Sequence, residues 1–275
     1  MTDLLNFPEV QSFVLPLLAA LLAGAIANRF GLAHGIGMIA GFIVTVVFVN
    51  GVDLLPLTAA RKIIMLGIAA AVIGALLDHR NVRWPRRPLY FALLSVVASA
   101  WVLGIVPLRK NGLEMLVVGA GIAIYSAWIT YWLDRLHDDE LRAVSATVSL
   151  GLGTGLAAII GSSALFGQLA IAISAGAGGV LLLALLQKKN VAGSVFTFPA
   201  GLLLGLIGCT AVAFADLPWS VLLVLSLIPV AARWIPLPNN KSRWLQAAVL
   251  TISTLALAGI ALAYAWHLAG SSSYS

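Results

Sequence analysis

Apolar residues run in long unbroken blocks along this chain of 275 residues, and the polar residues fall mostly between the blocks. A run of about 20 apolar residues is what a helix needs to cross a bilayer. Ten such blocks can be marked, covering approximately residues 10–28, 33–50, 61–77, 89–107, 113–133, 143–161, 165–186, 193–214, 218–235 and 245–267. They are continuous, without the alternating ten-residue periodicity of an outer-membrane barrel. The pattern therefore predicts an all-α integral membrane protein, a polytopic bundle of about ten transmembrane helices.

The separators carry turn chemistry. They include Asn28-Arg29, Asp53-Leu-Leu-Pro56, the Asp78-to-Pro88 loop, Arg109-Lys-Asn-Gly112, Asp134-to-Arg142, Asp216-Leu-Pro218 and Pro236-Leu-Pro-Asn-Asn240, with proline and glycine punctuating most of them. Arg61 and Lys62 open the third block, where both are expected to snorkel to the interface. None of the separators is long enough for a soluble domain, so residues 1–275 read as one membrane domain. The first ten residues lack Lys and Arg, the wrong start for a secretory signal peptide, and the first block is expected to be a retained helix.

One stretch differs in texture from the rest. Ala143 to Gln187 holds no charged side chain and is rich in Gly, Ala, Ser and Thr. Small residues let helix backbones approach closely, so two crossings joined by a turn at Gly161-Ser-Ser163 are expected to form the packed centre of the bundle.

Composition agrees with the pattern. Apolar residues make up 61% of the chain and charged residues 9%, and the mean hydropathy is +1.04, whereas about a quarter of residues in soluble proteins are charged. The net charge of +6 reads as a topology signal, with no nucleic-acid partner expected. Twelve of the 16 Lys and Arg residues follow odd-numbered blocks: Arg29, Arg80, Arg83, Arg86, Arg87, Arg135, Arg142, Lys188, Lys189, Arg233, Lys241 and Arg243. The opposite side holds only Arg61, Lys62, Arg109 and Lys110. Basic loops stay in the cytoplasm, so both termini are expected outside a bacterial-type cytoplasmic membrane. The belt of Trp84, Trp132, Trp234 and Trp244 inside, with Trp219 and Trp266 outside, fits the same orientation. Arg80, Arg83, Arg86 and Arg87 are expected to contact anionic headgroups at the cytoplasmic face.

Ten blocks also suggest a five-plus-five inverted repeat. Arg29-Phe-Gly-Leu-Ala33 opens the second block and Leu165-Phe-Gly-Gln-Leu169 the seventh; Val106-Pro-Leu and Ile235-Pro-Leu precede the fifth and tenth. In helix count alone this resembles the ten-helix drug/metabolite transporter superfamily; the expected outside termini depart from that family, and no motif accompanies the count.

Chemistry-bearing residues are sparse at membrane mid-depth. Asp78, Glu114, Asp216 and His267 all fall near block ends, which weakens a carboxylate-coupled carrier mechanism. His34 reads as an interfacial imidazole beside small packing residues, or as a group at a pore mouth. His137-Asp-Asp-Glu140 is consecutive, so its side chains splay around a helix and read as a solvated loop and helix cap. Thr154, Ser162, Ser163, Gln168 and Ser174, with His34, are the candidate residues for a substrate pathway or for helix packing; Thr45 and Asn50 could add to them. The lone cysteine, Cys209, reads as a small buried hydrophobe. No enzymatic or cofactor motif is present, so no catalytic residue, metal or cofactor is expected. The leading expectation is an inner-membrane permease for a small neutral or weakly polar solute. The alternative is a non-catalytic structural or assembly subunit of a larger membrane complex, and either could form homo-oligomers.

Overall fold

The computed structural model describes residues 7–30, 35–49, 51, 55–79, 86–104, 112–187, 193–215, 217–238 and 242–272. A π-helical turn, Val10–Val14, leads into α1 (Leu15–Arg29). There follow α2 (Ile36–Val49), α3 (Ala59–His79), α4 (Arg87–Leu103), α5 (Gly112–Asp134), α6 (Glu140–Ile160), α7 (Ala164–Gln187), α8 (Ser194–Phe214), α9 (Trp219–Leu225), α10 (Leu227–Trp234) and α11 (Arg243–Ser272). No strand occurs among the described residues. Among the described residues, six helices are long and apolar enough to cross a membrane: Val10–Arg29, Ala59–Asp78, Glu140–Ile160, Ala164–Leu186, Ser194–Phe214 and Arg243–Ala269. Ile36–Val49, Arg87–Val102 and Trp219–Trp234 are shorter and also apolar. Leu22, Val97, Ile124, Leu223 and Ile252 are each about two-thirds exposed; an exterior this apolar is that of a protein solvated by lipid.

Within the described residues each expected block forms helix, and the ninth is interrupted. It divides into α9 and α10 at Ser226. Pro229 has no backbone N–H to offer the carbonyl of Leu225 four residues earlier, and the indole N–H of Trp128 donates to the Ser226 carbonyl at 3.2 Å.

Proline also shapes the start of the chain. The amide of Leu15 bonds back to Val10 across five residues, the π pattern. The next donor in that register would belong to Pro16, which has none, so the π register sends no amide to the Gln11 carbonyl. Thr45 of α2 donates its hydroxyl to it at 2.9 Å. Gly41 allows the approach, because a β-carbon there would lie 2.6 Å from the Pro16 carbonyl oxygen.

Helix ends gather at two poles. At the first, Asp78 at the end of α3 accepts from the amides of Ser194 and Val195, both at 2.9 Å. Arg87 at the start of α4 pairs with Asp134 at the end of α5 at 3.0 Å. At the start of α6, Arg142 Nη1 donates to the carbonyls of Ala232 and Arg233 at the end of α10. The second pole brings together the start of α3, the start of α7 and the end of α8, where Thr58, Arg61, Leu165, Phe166 and Phe214 line one groove. Consecutive helices from α3 to α8 therefore alternate in direction.

The α6–α7 hairpin is densely packed, with its turn at residues 161–163. It shares the centre with a helix that is more enclosed still: 94% of the α8 span is buried, against 72% for α6 and for α7. The outermost spans are those of α1 and α11, each 28% buried. The sequence texture picks out the hairpin but not α8, whose small residues are diluted by Leu and Phe.

Candidate functional site

Three stripes of small and polar residues meet at the α4–α5–α8 contact. On α5 the stripe is Ile122, Ser126, Thr130 and Asp134; on α8 it is Thr197, Gly201, Gly205 and Cys209. Four-residue spacing keeps each set on one helix face. The two run antiparallel in register. The Thr197 hydroxyl donates to Asp134 Oδ1 at 2.8 Å. A β-carbon on Gly201 would lie 2.7 Å from Thr130 Cα, and one on Gly205 would lie 2.9 Å from Ser126 Cα. Cys209 Sγ sits 3.6 Å from the Ile122 carbonyl oxygen and 3.7 Å from Ser126 Oγ. The backbones approach to the limit that glycine permits.

The third stripe is Arg87, Phe91, Ser95 and Ser99 on α4. Phe91 stacks on Phe198 with centroids 4.0 Å apart. Ser95 donates to Thr130 Oγ1 at 2.8 Å, and Thr130 donates to the Ser126 carbonyl at 2.8 Å. Hydroxyls bonded this way are neither exposed to hydrocarbon nor left for a solute.

The seam ends at the first pole in a buried ion pair. The Asp134 side chain is fully buried, and that of Arg87 is 12% exposed. An ion pair in a low-dielectric site needs further hydrogen bonds to offset the desolvation of both charges, and Asp134 receives one from Thr197. Arg87 Nη2 is buried without a hydrogen-bond partner. Asp78 completes the pole. Gly193, at φ +76°, precedes α8 and has no side chain to cap it, so the Asp78 carboxylate caps it from α3. A carboxylate satisfies the unpaired amides of a first turn and complements the helix dipole. Gly74, one turn earlier on α3, makes room, since a β-carbon there would lie 2.4 Å from the Ser194 carbonyl oxygen.

Asp139 caps α6, accepting from the Arg142 amide at 3.2 Å and from its Nε at 2.9 Å. Glu140, read from the sequence as part of a solvated loop, is 1% exposed. At the second pole Lys62 also departs from expectation. It is buried, donating from Nζ to the Trp101 carbonyl at 2.6 Å and lying 5.0 Å from the Trp101 ring centroid. The last carbonyls of a helix lack intrahelical donors, and the lysine donates to that of Trp101 instead of reaching for solvent.

The residues singled out in the hairpin do not converge. Ser174 is buried and donates to the Val148 carbonyl of α6 at 2.7 Å, where a β-carbon on Gly151 would come within 2.9 Å of Ser174 Cβ. Thr154 is buried with its hydroxyl unpartnered. Ser162 is exposed at φ +71° in the turn, while Ser163 and Gln168 are half-buried. Helix α7 meets α2 backbone to backbone, a β-carbon on Gly176 falling 3.0 Å from the Met38 carbonyl oxygen. Thr45 bonds the π turn of α1, as described above. His34, Asn50, Arg80 and Arg83 lie outside the described residues. Arg86 is exposed, whereas Arg87 turns inward to Asp134.

The α4–α5–α8 seam and its charged end escaped sequence reasoning. The signals were there, in Gly201-Leu-Leu-Leu-Gly205 and in the four-residue spacing of Ser126, Thr130 and Asp134. Chemically the seam holds helices together. Among the described residues, no group of three His, Cys, Asp or Glu residues could hold a metal ion. No protein-family model matches the chain, and no curated protein compared with it matches.

Proposed function

We propose that the chain crosses a bacterial-type inner membrane ten times, with both termini outside, and serves as a non-catalytic structural or assembly subunit of a larger membrane complex. The observation that carries this is the use of its intramembrane polar groups. Ser95, Thr130, Ser174 and Thr45 are bonded across helix contacts, and glycines close those contacts to backbone distance, including α2 on α7 and α7 on α6. A solute route between helices two, six and seven would require space where their backbones meet. The alternation of helix direction between the poles supports the ten-crossing topology. The paired α1–α2 and α6–α7 hairpins, with α2 on α7 and α3 on α8, support a five-plus-five arrangement. The contact of α6 with α11 lacks a comparable counterpart between α1 and α5 among the described residues.

Gentle solubilisation of the native membrane, followed by mass spectrometry of the intact assembly, tests the proposal. Stoichiometric partner chains are expected. Purification as a lone chain or homo-oligomer from membranes expressing it at its natural level would overturn it.

The permease reading draws on two observations, the interruption of α9–α10 at Ser226 and the unpartnered buried hydroxyls of Tyr125 and Thr154. Broken helices frame the binding sites of many transporters. Proteoliposomes that swell in neutral osmolytes only when they contain this chain would favour it.

A further inference from the structure

A groove opens at the second pole between the start of α3 and the start of α7. Both helices pack on α8, and the end of α8 contributes Phe214. The groove is an open surface depression of about 490 Å³. Its lining is almost wholly apolar, from Pro56, Ala59, Ala60, Leu165, Phe166 and Phe214, with Thr58 and Arg61 as the polar members. Arg61 donates from Nη1 to the Pro56 carbonyl at 2.9 Å, and no carboxylate pairs with it among the described residues. Lys62 beside it has its Nζ on a carbonyl oxygen, so this corner holds two cations and no neutralising acid among the described residues. An open apolar groove beside a guanidinium that no carboxylate pairs with among the described residues matches a molecule with a hydrocarbon chain and a monoanionic head, and Arg is suited to phosphate oxygens.

We infer that this groove binds an anionic glycerophospholipid, with one acyl chain along Leu165, Phe166 and Phe214 and the phosphodiester on Arg61. The site is at the opposite pole from Arg86 and Arg87. It rests on the membrane-spanning reading above, which puts this pole at a membrane surface.

The test uses the full chain in a mild non-ionic detergent, titrated with palmitoyl-oleoyl phosphatidylglycerol or with its phosphatidylcholine counterpart and read by native mass spectrometry. The first phosphatidylglycerol is expected to bind about tenfold more tightly than phosphatidylcholine, the scale of one charge-assisted contact. Arg61→Gln should abolish that preference, Arg61→Lys should retain most of it, and Arg86→Gln should leave it unchanged. Leu165→Trp, which fills the groove, should weaken both lipids. Equal binding of the two lipids by the wild-type chain, or an undiminished preference in Arg61→Gln, would overturn the inference. If Arg61→Gln elutes as an aggregate, Leu165→Trp decides: loss of the tight lipid supports the groove and its retention overturns it. Release of the chain from membranes by carbonate without detergent would instead fail the membrane-spanning reading itself.

Discussion

Thr45 on α2 donates to the carbonyl of Gln11, 34 residues earlier, at 2.9 Å, and so provides the hydrogen bond that Pro16 cannot. That hydroxyl adds a polar tie to the close packing of the first helix on the second. Thr45→Val should cost about 0.5–1.5 kcal/mol, the net worth of one intramolecular hydrogen bond. In a Pro16→Ala background, where the restored amide can serve Gln11, the same change should cost less. A double-mutant cycle measured by unfolding in mixed micelles gives the coupling; strictly additive effects would contradict the arrangement.

The Arg87–Asp134 pair makes a sharper prediction. Asp134→Leu leaves a buried guanidinium without its counter-charge and should destabilise the bundle by about 3–5 kcal/mol. Combining it with Arg87→Met should recover much of that loss, because the desolvation of both charges disappears together. The comparison is made in the same micellar unfolding assay. A double variant as unstable as Asp134→Leu would mean that the pair does more than balance charge.

Asp78→Ala removes the cap of α8 and should cost about 1–2 kcal/mol. The loss is local, so hydrogen exchange at the amides of residues 194–197 should accelerate while the α6–α7 hairpin keeps its protection. Uniform acceleration across the chain would contradict a capping role.

Glycines separate buried contacts from open surface. Gly205→Leu would drive a side chain into Ser126, whose Cα lies 2.9 Å from the position of a β-carbon, and overpacking on that scale should prevent recovery of monodisperse protein. Gly259 on α11 has nothing within 4 Å of the same position, so Gly259→Leu should elute like the wild type. Equal yields from the two variants would contradict the α5–α8 packing.

Much of the fold was legible in the sequence because hydrophobic blocks and turn residues are local signals. The turn at Gly161-Ser-Ser163 and the dense packing of the hairpin follow from small-residue content alone. The interruption at Ser226 was less legible, since a single proline inside an apolar run also fits a kinked continuous helix. Inward-turned charge was hardest to read. Arg87 and Asp134 each look like ordinary loop-edge residues, and only the contact between α4, α5 and α8 makes them partners. Lys62 escaped for the same reason, because the carbonyl it serves belongs to Trp101 on another helix.

The enclosure of α8 has a consequence for biogenesis. The helices that surround it on the seam, α4 and α5, leave the ribosome first, and the start of α8 lies about 60 residues after the end of α5. At about 5–20 residues per second, Ser126, Thr130 and Asp134 wait about 3–12 s for the helix that will cover them. Over that interval the nascent chain has an unfilled slot lined with hydroxyls and one carboxylate. A membrane insertase that shelters polar helix faces should be crosslinked to α5 in nascent chains ending before residue 194 and released from it in chains extending past residue 214.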